Sequence, residues 1–237
     1  VTQLMTDPII EFKDFSFKYN SQAEPTLKNI NLKIKKGEKI LLAGPSGSGK
    51  STIGRCLNGL IPNIDQGEVE GKCLVNGKDI TNTSLFDFSF TTSTILQDAD
   101  SQFIGLTVGE DIAFALENDC QPKDKMHQTV NQWADELKIK ELLTQSPQSL
   151  SGGQKQIVAL AGVLVDESPI LLFDEPLANL DPASGLKTMA IIDKIQKELN
   201  ATVIIIEHRV EEVLSQPIDR IILVNEGTIV ADQPTNE

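Results

Sequence analysis

GEKILLAGPSGSGKSTIGRCLNGL, residues 37–60, reads in order as a short apolar strand, a glycine-rich loop and a helix. Gly44, Gly49, Lys50 and Ser51 fall at the fixed places of the phosphate-loop pattern G-x-x-x-x-G-K-[ST], in the strand–loop–helix setting that the pattern requires. Glycines let the backbone turn tightly, so that successive N–H groups point into one concave anion site. The helix that follows adds its positive N-terminal end. Gly44, Pro45, Ser46, Gly47, Ser48, Gly49, Lys50, Ser51 and Thr52 are therefore the candidate nucleotide-binding loop. Lys50 reaches the terminal phosphates and the Ser51 hydroxyl is a candidate Mg²⁺ ligand.

Outward from this loop, composition sets bounds. The chain has 237 residues, 40% hydrophobic and 23% charged, which is ordinary globular composition. No apolar run reaches the length needed to span a bilayer. The opening VTQLMTDPIIEF lacks the basic start and long apolar core of a signal peptide. Cys56, Cys73 and Cys120 show neither metal-ligand nor disulfide spacing and read as buried or inert thiols of a reducing compartment. A formal net charge of −13 argues against a nucleic-acid partner, because phosphate-backbone affinity needs positive charge.

Periodicity divides the chain. Residues 9–19 and 27–43 alternate apolar and polar positions and predict half-buried strands, with Lys33, Lys35, Lys36 and Lys39 on a solvated hairpin face. GEVEGKCLVNGK, residues 67–78, carries an Asn-Gly turn and joins these strands. Residues 107–143 are helical in pattern, with Val108, Ile112, Ala115 and Leu116 on one face. From residue 169 apolar strands alternate with helices, as in a buried parallel sheet. ILLFD, residues 170–174, ends in a carboxylate, and the adjacent pair Asp174 and Glu175 would face the ligand crevice at a strand's carboxyl end. Asp174 is the candidate Mg²⁺ ligand and Glu175 the candidate general base.

LSGGQ, residues 150–154, followed by the apolar run IVALAGVLV, resembles the signature motif of the ATP-binding-cassette (ABC) ATPases. Ser151, Gly152 and Gly153 would present a hydroxyl and bare N–H groups ahead of a helix. The resemblance implies that these residues and Gln154 meet the γ-phosphate held on a second cassette, so that two cassettes share each ATP. It implies roles elsewhere too. Gln97, after the strand TSTIL, matches the glutamine that touches Mg²⁺ and the attacking water. His208 follows the strand TVIIIE, 33 residues beyond Glu175, and matches the switch histidine. ANLDP, residues 178–182, resembles the loop that crosses to the opposite cassette, with Asp181 as its carboxylate. Tyr19, one of the alternating Phe15, Phe17 and Tyr19, matches an adenine-stacking aromatic, with core packing as the competing reading.

A finer resemblance rests on LNGLIPN (57–63), LQDADSQFIGLTVGEDIAFALEN (96–118) and IIIEHRVEEV (204–213). These stretches are similar to the ATPases of energy-coupling-factor (ECF) importers, especially the thiamine-precursor type. Ile157 and Ala99 depart from the Arg and Pro usual there. The resemblance implies an α/β P-loop NTPase core with a mainly parallel sheet, an antiparallel β subdomain and an inserted α-helical subdomain. The expected parts are 1–96 for the antiparallel strands and phosphate loop, 97–149 for the helical block joined by the signature helix from 150, and 163–237 for the Asp174, Asp181 and His208 segments. It further implies ATP and Mg²⁺ as ligands, transmembrane subunits as partners, and a peripheral place on the cytoplasmic face of the membrane. Phe103 and Ile104 in the helical block are the candidate docking residues. The transported species would be a vitamin, a vitamin precursor or a metal ion. Whether the second cassette is another copy, a different chain or a fused half stays open.

The alternative is a soluble ABC ATPase of translation or nucleic-acid metabolism. Chromosome and repair types would place a coiled coil or zinc module between the two glycine motifs, yet only about 100 residues separate them and no heptad run fills the gap.

Overall fold

The computed structural model describes residues 7–96 and 102–235. Ten strands form two sheets. The first sheet is antiparallel, in the order β2 (Leu27–Ile34), β1 (Ile10–Tyr19), β4 (Gly67–Val75) and β5 (Lys78–Asp79). The second has the order β10 (Thr228–Pro234), β9 (Arg220–Asn225), β3 (Lys39–Ala43), β8 (Thr202–Ile206), β7 (Ile170–Asp174) and β6 (Thr92–Ile95). All its neighbours run parallel except β10 against β9.

Strand alternation splits the central strands between two cores, since successive side chains point to opposite faces. Ile40 and Leu42 of β3, Leu172 of β7 and Ile204 and Ile206 of β8 meet the antiparallel sheet and helix α1 (Lys50–Leu57). Leu41, Leu171, Phe173, Val203 and Ile205 face the opposite way, toward the later helices. Those helices are α4 (Val108–Asn118), α5 (Lys123–Glu136), α6 (Gly152–Leu164) and α7 (Pro182–Leu199), after the short α2 (Leu60–Asn63) and α3 (Leu85–Ser89) and before the short α8 (Val210–Val213). Val108, Ile112 and Trp133 of α4 and α5 belong to the same apolar cluster as Leu171 and Phe173 of the sheet, with α6 between them. The helical block and the sheet thus share one core.

Three local expectations are corrected. Residues 27–43 are not one alternating stretch: β2 alternates, whereas β3 is buried at all five positions and sits in the other sheet. Lys39 is therefore not on a solvated face. It opens β3 at 3% exposure and its ammonium pairs with Asp193 on α7, which also holds Lys197 at 2.7 Å. Burial of a lysine without such a partner would carry a large desolvation cost. The helix after the phosphate loop stops at Leu57 rather than residue 60, because Gly59 takes a left-handed φ of 80° against the Phe88 ring. Cys56 and Cys73 are buried as expected of inert thiols, and burial pushes the Cys73 thiol well up, but Cys120 is exposed. No helix among the described residues is long and apolar enough to cross a membrane.

β1 also explains how three phenylalanines reach one core. Phe12 and Phe15 are an odd number apart, yet both are buried. The register shifts between Lys13 and Ser16, where Asp14 has a φ of 46°, and this bulge returns Phe15 and Phe17 to the inner face.

Candidate functional site

The phosphate loop runs from the end of β3 into α1. Gly44 has a φ of 143°, and a Cβ there would lie 2.0 Å from the Val224 carbonyl oxygen on β9. Gly49 has a φ of 108° and caps α1, and a Cβ there would meet Leu27 at 2.9 Å. Only glycine meets both demands, of backbone angle and of space. Lys50 is folded back on the loop, its Nζ donating to the carbonyls of Gly44 and Pro45, each at 2.8 Å. Burial lowers its pKa, against the pull of the Glu175 and Asp174 charges. The Ser48 hydroxyl oxygen is buried in the loop without a hydrogen-bond partner.

A cleft of ≈ 250 Å³ opens on this loop. Ser46, Gly47, Gly49, Lys50, Ser51 and Thr52 form its floor, Tyr19 and Gln22 one wall, and Glu175 and His208 another. Tyr19 packs edge-on against Phe17 with ring centroids 4.8 Å apart, and its hydroxyl lies 3.2 Å from the Thr52 hydroxyl. It is half-buried, so it joins the core on one side and walls the cleft on the other.

Glu175 follows β7 with a φ of 52°, and its N–H donates to Ile206 at the end of β8, at 2.8 Å. A left-handed conformation is costly for a residue with a Cβ and persists only where the surroundings fix it. Here it turns the carboxylate toward the neighbouring strand's loop. His208 Nε2 lies 3.2 Å from Glu175 Oε1. Two carboxylates and a histidine from the carboxyl ends of adjacent parallel strands thus border a loop built for anions.

Asp174 ends β7 within electrostatic reach of Lys50. Burial raises its pKa, the Glu175 charge raises it further, and Lys50 and Arg55 pull the other way. A divalent cation would relieve that desolvated, like-charged pair, and the nearby Ser51 hydroxyl is exposed. Magnesium fits this donor set, since it prefers hard oxygens and takes one or two carboxylates together with substrate phosphates. Among the described residues no group of three or more His, Cys, Asp or Glu is placed to hold a metal. Among the described residues, Ser51 and Asp174 would hold Mg²⁺ together with substrate phosphates.

The remaining candidates stand apart from this cleft. Ser151 caps α6: its hydroxyl accepts from the Gln154 N–H at 3.3 Å, and Gln154 Oε1 accepts the Ser151 N–H at 3.0 Å. Ser151, Gly152 and Gln154 are exposed. Gly153 faces the Ser184 hydroxyl of α7, where a Cβ would come within 3.4 Å. Asp181 caps α7, accepting from the Ser184 N–H at 3.0 Å and its hydroxyl at 2.5 Å, and these bonds hold its carboxyl below the usual range. The signature residues and the Asp181 loop thus share one open face, outside the chain's own cleft. Gln97 and Ala99 lie outside the described residues. Glu207 and Arg209, on either side of His208, have no role assigned by pattern; the stretch IIIEHRVEEV that contains them carries only the ECF resemblance.

Residues 27–178 match the protein family described as ABC transporter. Proteins described as ABC transporter ATP-binding proteins are 97% identical in Lactobacillus johnsonii, 61% in Streptococcus mutans and 60% in Enterococcus faecalis. The alignments cover 98%, 97% and 98% of this chain, and 41% of each relative. The chain therefore spans about two fifths of the length of these relatives. CbiO1 from Clostridium perfringens, described as part of the ABC transporter complex CbiONQ, superposes with a TM-score of 0.87 at 31% identity, over 97% of this chain and 89% of that one. The ATP-binding cassette MJ0796, solved as a dimer in a post-hydrolysis state with ADP and Pi, gives 0.79 at 26% identity, over 95% of this chain and 98% of that one.

Proposed function

Because the chain belongs to the ATP-binding-cassette transporter ATPases, we propose that its cleft binds Mg-ATP and hydrolyses it once a second cassette closes the site. The observation that carries this reading is the meeting of Glu175 and His208 at 3.2 Å on the rim of the Lys50 cleft. The adenine would stack on Tyr19, with its phosphates on the backbone of residues 44–52. Lys50 would then exchange its two carbonyl partners for phosphate oxygens.

Glu175 takes the proton of the attacking water as that oxygen bonds to the γ-phosphorus, and ADP leaves with the bridging oxygen. His208 holds Glu175 and, with Gln97, fixes the water's place. Mg²⁺, held by Ser51, Asp174 and Gln97, would neutralise charge developing on the phosphates. The signature residues Ser151, Gly152, Gly153 and Gln154 would act on the partner cassette's nucleotide, which accords with their exposure away from this chain's own cleft. Asp181 sits beside them and would cross to the same partner.

In its cellular setting the chain acts as the ATP-binding part of an importer, docked on transmembrane subunits at the cytoplasmic face. Support comes from the likeness to CbiO1, described as part of a transporter complex, and from the three ECF-like stretches of sequence. A vitamin, a vitamin precursor or a metal ion would be the transported species. The second cassette is another copy, a separate chain or a further part of a longer polypeptide.

The test is ATP binding and turnover with Lys50→Ala beside the wild type. Lys50 contacts phosphate before any chemistry, so its loss should raise the ATP dissociation constant by about tenfold or more, the scale of one charged hydrogen bond. A wild-type protein that neither binds nor hydrolyses Mg-ATP would contradict the reading.

A further inference from the structure

Glu207, the residue after β8, turns its side chain inward and is 3% exposed. Its carboxylate is satisfied by backbone amides. Oε1 accepts from the N–H groups of His208 at 2.8 Å and Arg209 at 3.3 Å, and Oε2 accepts from the Leu177 N–H at 3.0 Å. The last bond leaves the histidine loop and reaches the segment just after Glu175.

Arg209 crosses the same gap. Its Nη1 donates to the carbonyls of Leu177 at 2.7 Å and Leu180 at 2.8 Å. Nε and Nη2 are fixed on Glu212 at 3.1 and 2.8 Å, which sets the plane of the guanidinium. Both backbone polar groups of Leu177, its N–H and its carbonyl, are thereby held by side chains flanking His208. The far end of the held segment is Leu180, the residue before Asp181. Neither Glu207 nor Arg209 lines the Tyr19–Lys50 cleft.

We propose that Glu207 and Arg209 are positioning residues that strap the 177–181 loop to His208, so that a shift of the Asp181 loop is carried to the Glu175–His208 pair. The proposal rests on the hydrolysis reading above for its consequence, though the strap itself does not. Two features distinguish a strap from ordinary loop anchoring. Three of the bonds, from the Leu177 N–H to Glu207 and from Arg209 to the Leu177 and Leu180 carbonyls, run between the two loops. They also end on Leu177 and Leu180, which lie between Glu175 and Asp181. When the exposed Asp181 face meets a partner cassette, the loop cannot move without pulling on the backbone at His208. A partner docked on that face would set the 3.2 Å contact that organises the water.

Two conservative variants test this. Glu207→Gln keeps size but replaces one acceptor with an NH₂ group facing backbone donors. Arg209→Lys keeps charge but lacks the fork needed to reach two carbonyls and Glu212 together. Each should lower kcat about tenfold or more while leaving KM for ATP within about twofold, because misplacement near the reacting atoms costs rate and the nucleotide contacts are untouched. Asp181→Ala should cost less in the Arg209→Lys background than in the wild type, since the two act through one linkage. An unchanged kcat, a rise in KM that accounts for the whole loss, or fully multiplicative effects would overturn the proposal.

A second measurement needs no hydrolysis. Amide hydrogen exchange of nucleotide-free protein should quicken in residues 176–185 of Arg209→Lys while β3 and β8 stay protected. Unchanged exchange there would overturn the strap even if ATP turnover of the variant fell. Absence of wild-type turnover with altered exchange would instead defeat the hydrolysis reading and leave the strap standing. If Glu207→Gln fails to fold, Arg209→Lys alone decides.

Discussion

Glu175 shows how far a single residue is constrained. Its left-handed backbone, its N–H bond to Ile206 and its contact with His208 fix one carboxylate orientation beside the cleft. If that carboxylate is the base, Glu175→Gln should slow ATP hydrolysis by on the order of 10²–10⁴, with ATP affinity retained, because the proton acceptor alone is lost. Steady-state turnover and nucleotide binding check this together, and turnover within a few-fold of wild type would remove the role. Legibility at this scale is uneven for a physical reason. The phosphate loop, Glu175 and His208 are visible as motifs because their chemistry depends on short, local spacing. Lys39 was misplaced because its partner, Asp193, lies on a helix 154 residues away, and no local pattern reports burial by a distant element. Glu207 is illegible locally for the same reason: it becomes a buried hub only when β8 is packed beside the loop after β7.

Elements divide the work between chemistry and contact. The apolar stripe of α4 is legible in the sequence, but the break of residues 107–143 into separate helices and the core shared with α6 and the sheet are not, since a hydrophobic stripe does not name what it packs on. The structure also separates the two candidate docking residues. Phe103 packs against the core, whereas Ile104 is 67% exposed, beside exposed Leu106 and Phe114. Such a patch of large apolar side chains on a helical surface is a common mark of an interaction site. Ile104→Asp should leave thermal stability unchanged yet reduce co-purification with transmembrane subunits. Normal co-purification and uptake by the folded variant would place the docking surface elsewhere. A different effect belongs to the far end of α6. Asp166 follows it, where burial and then the Asp119 charge push the carboxyl from 3.8 up to about 6. The folded protein therefore binds this proton more tightly than the unfolded chain, so stability falls as pH rises from about 4 to 6. Asp166→Asn should raise stability at pH 7.5 by less than about 1 kcal/mol, because the surrounding atoms desolvate the carboxyl only in part: much of the residue still reaches solvent, which screens the charge. The gain should shrink toward pH 4.5, and a pH-independent difference in Tm would contradict it.

At the scale of the whole molecule, the proposed function makes the chain one half of a two-cassette site. Its cleft holds the phosphate loop, Glu175 and His208, while Ser151, Gly152, Gln154 and Asp181 lie on an exposed face apart from it. The sequence announces both halves through two glycine motifs about 100 residues apart, but only the fold shows that they do not meet within one chain. Where the partner comes from is a property of the assembly, and the curated relatives, of which the chain spans 41%, extend well beyond it. On the proposed composite site, a second surface would reach the nucleotide before it is cleaved, and ATP bridging two cassettes would draw them together. The decisive measurement is ATP turnover per chain as a function of protein concentration, with oligomeric state followed by light scattering. Turnover should be slow for the dilute monomer and rise with concentration or with an added partner cassette. A constant rate from a verified monomer would contradict the composite site.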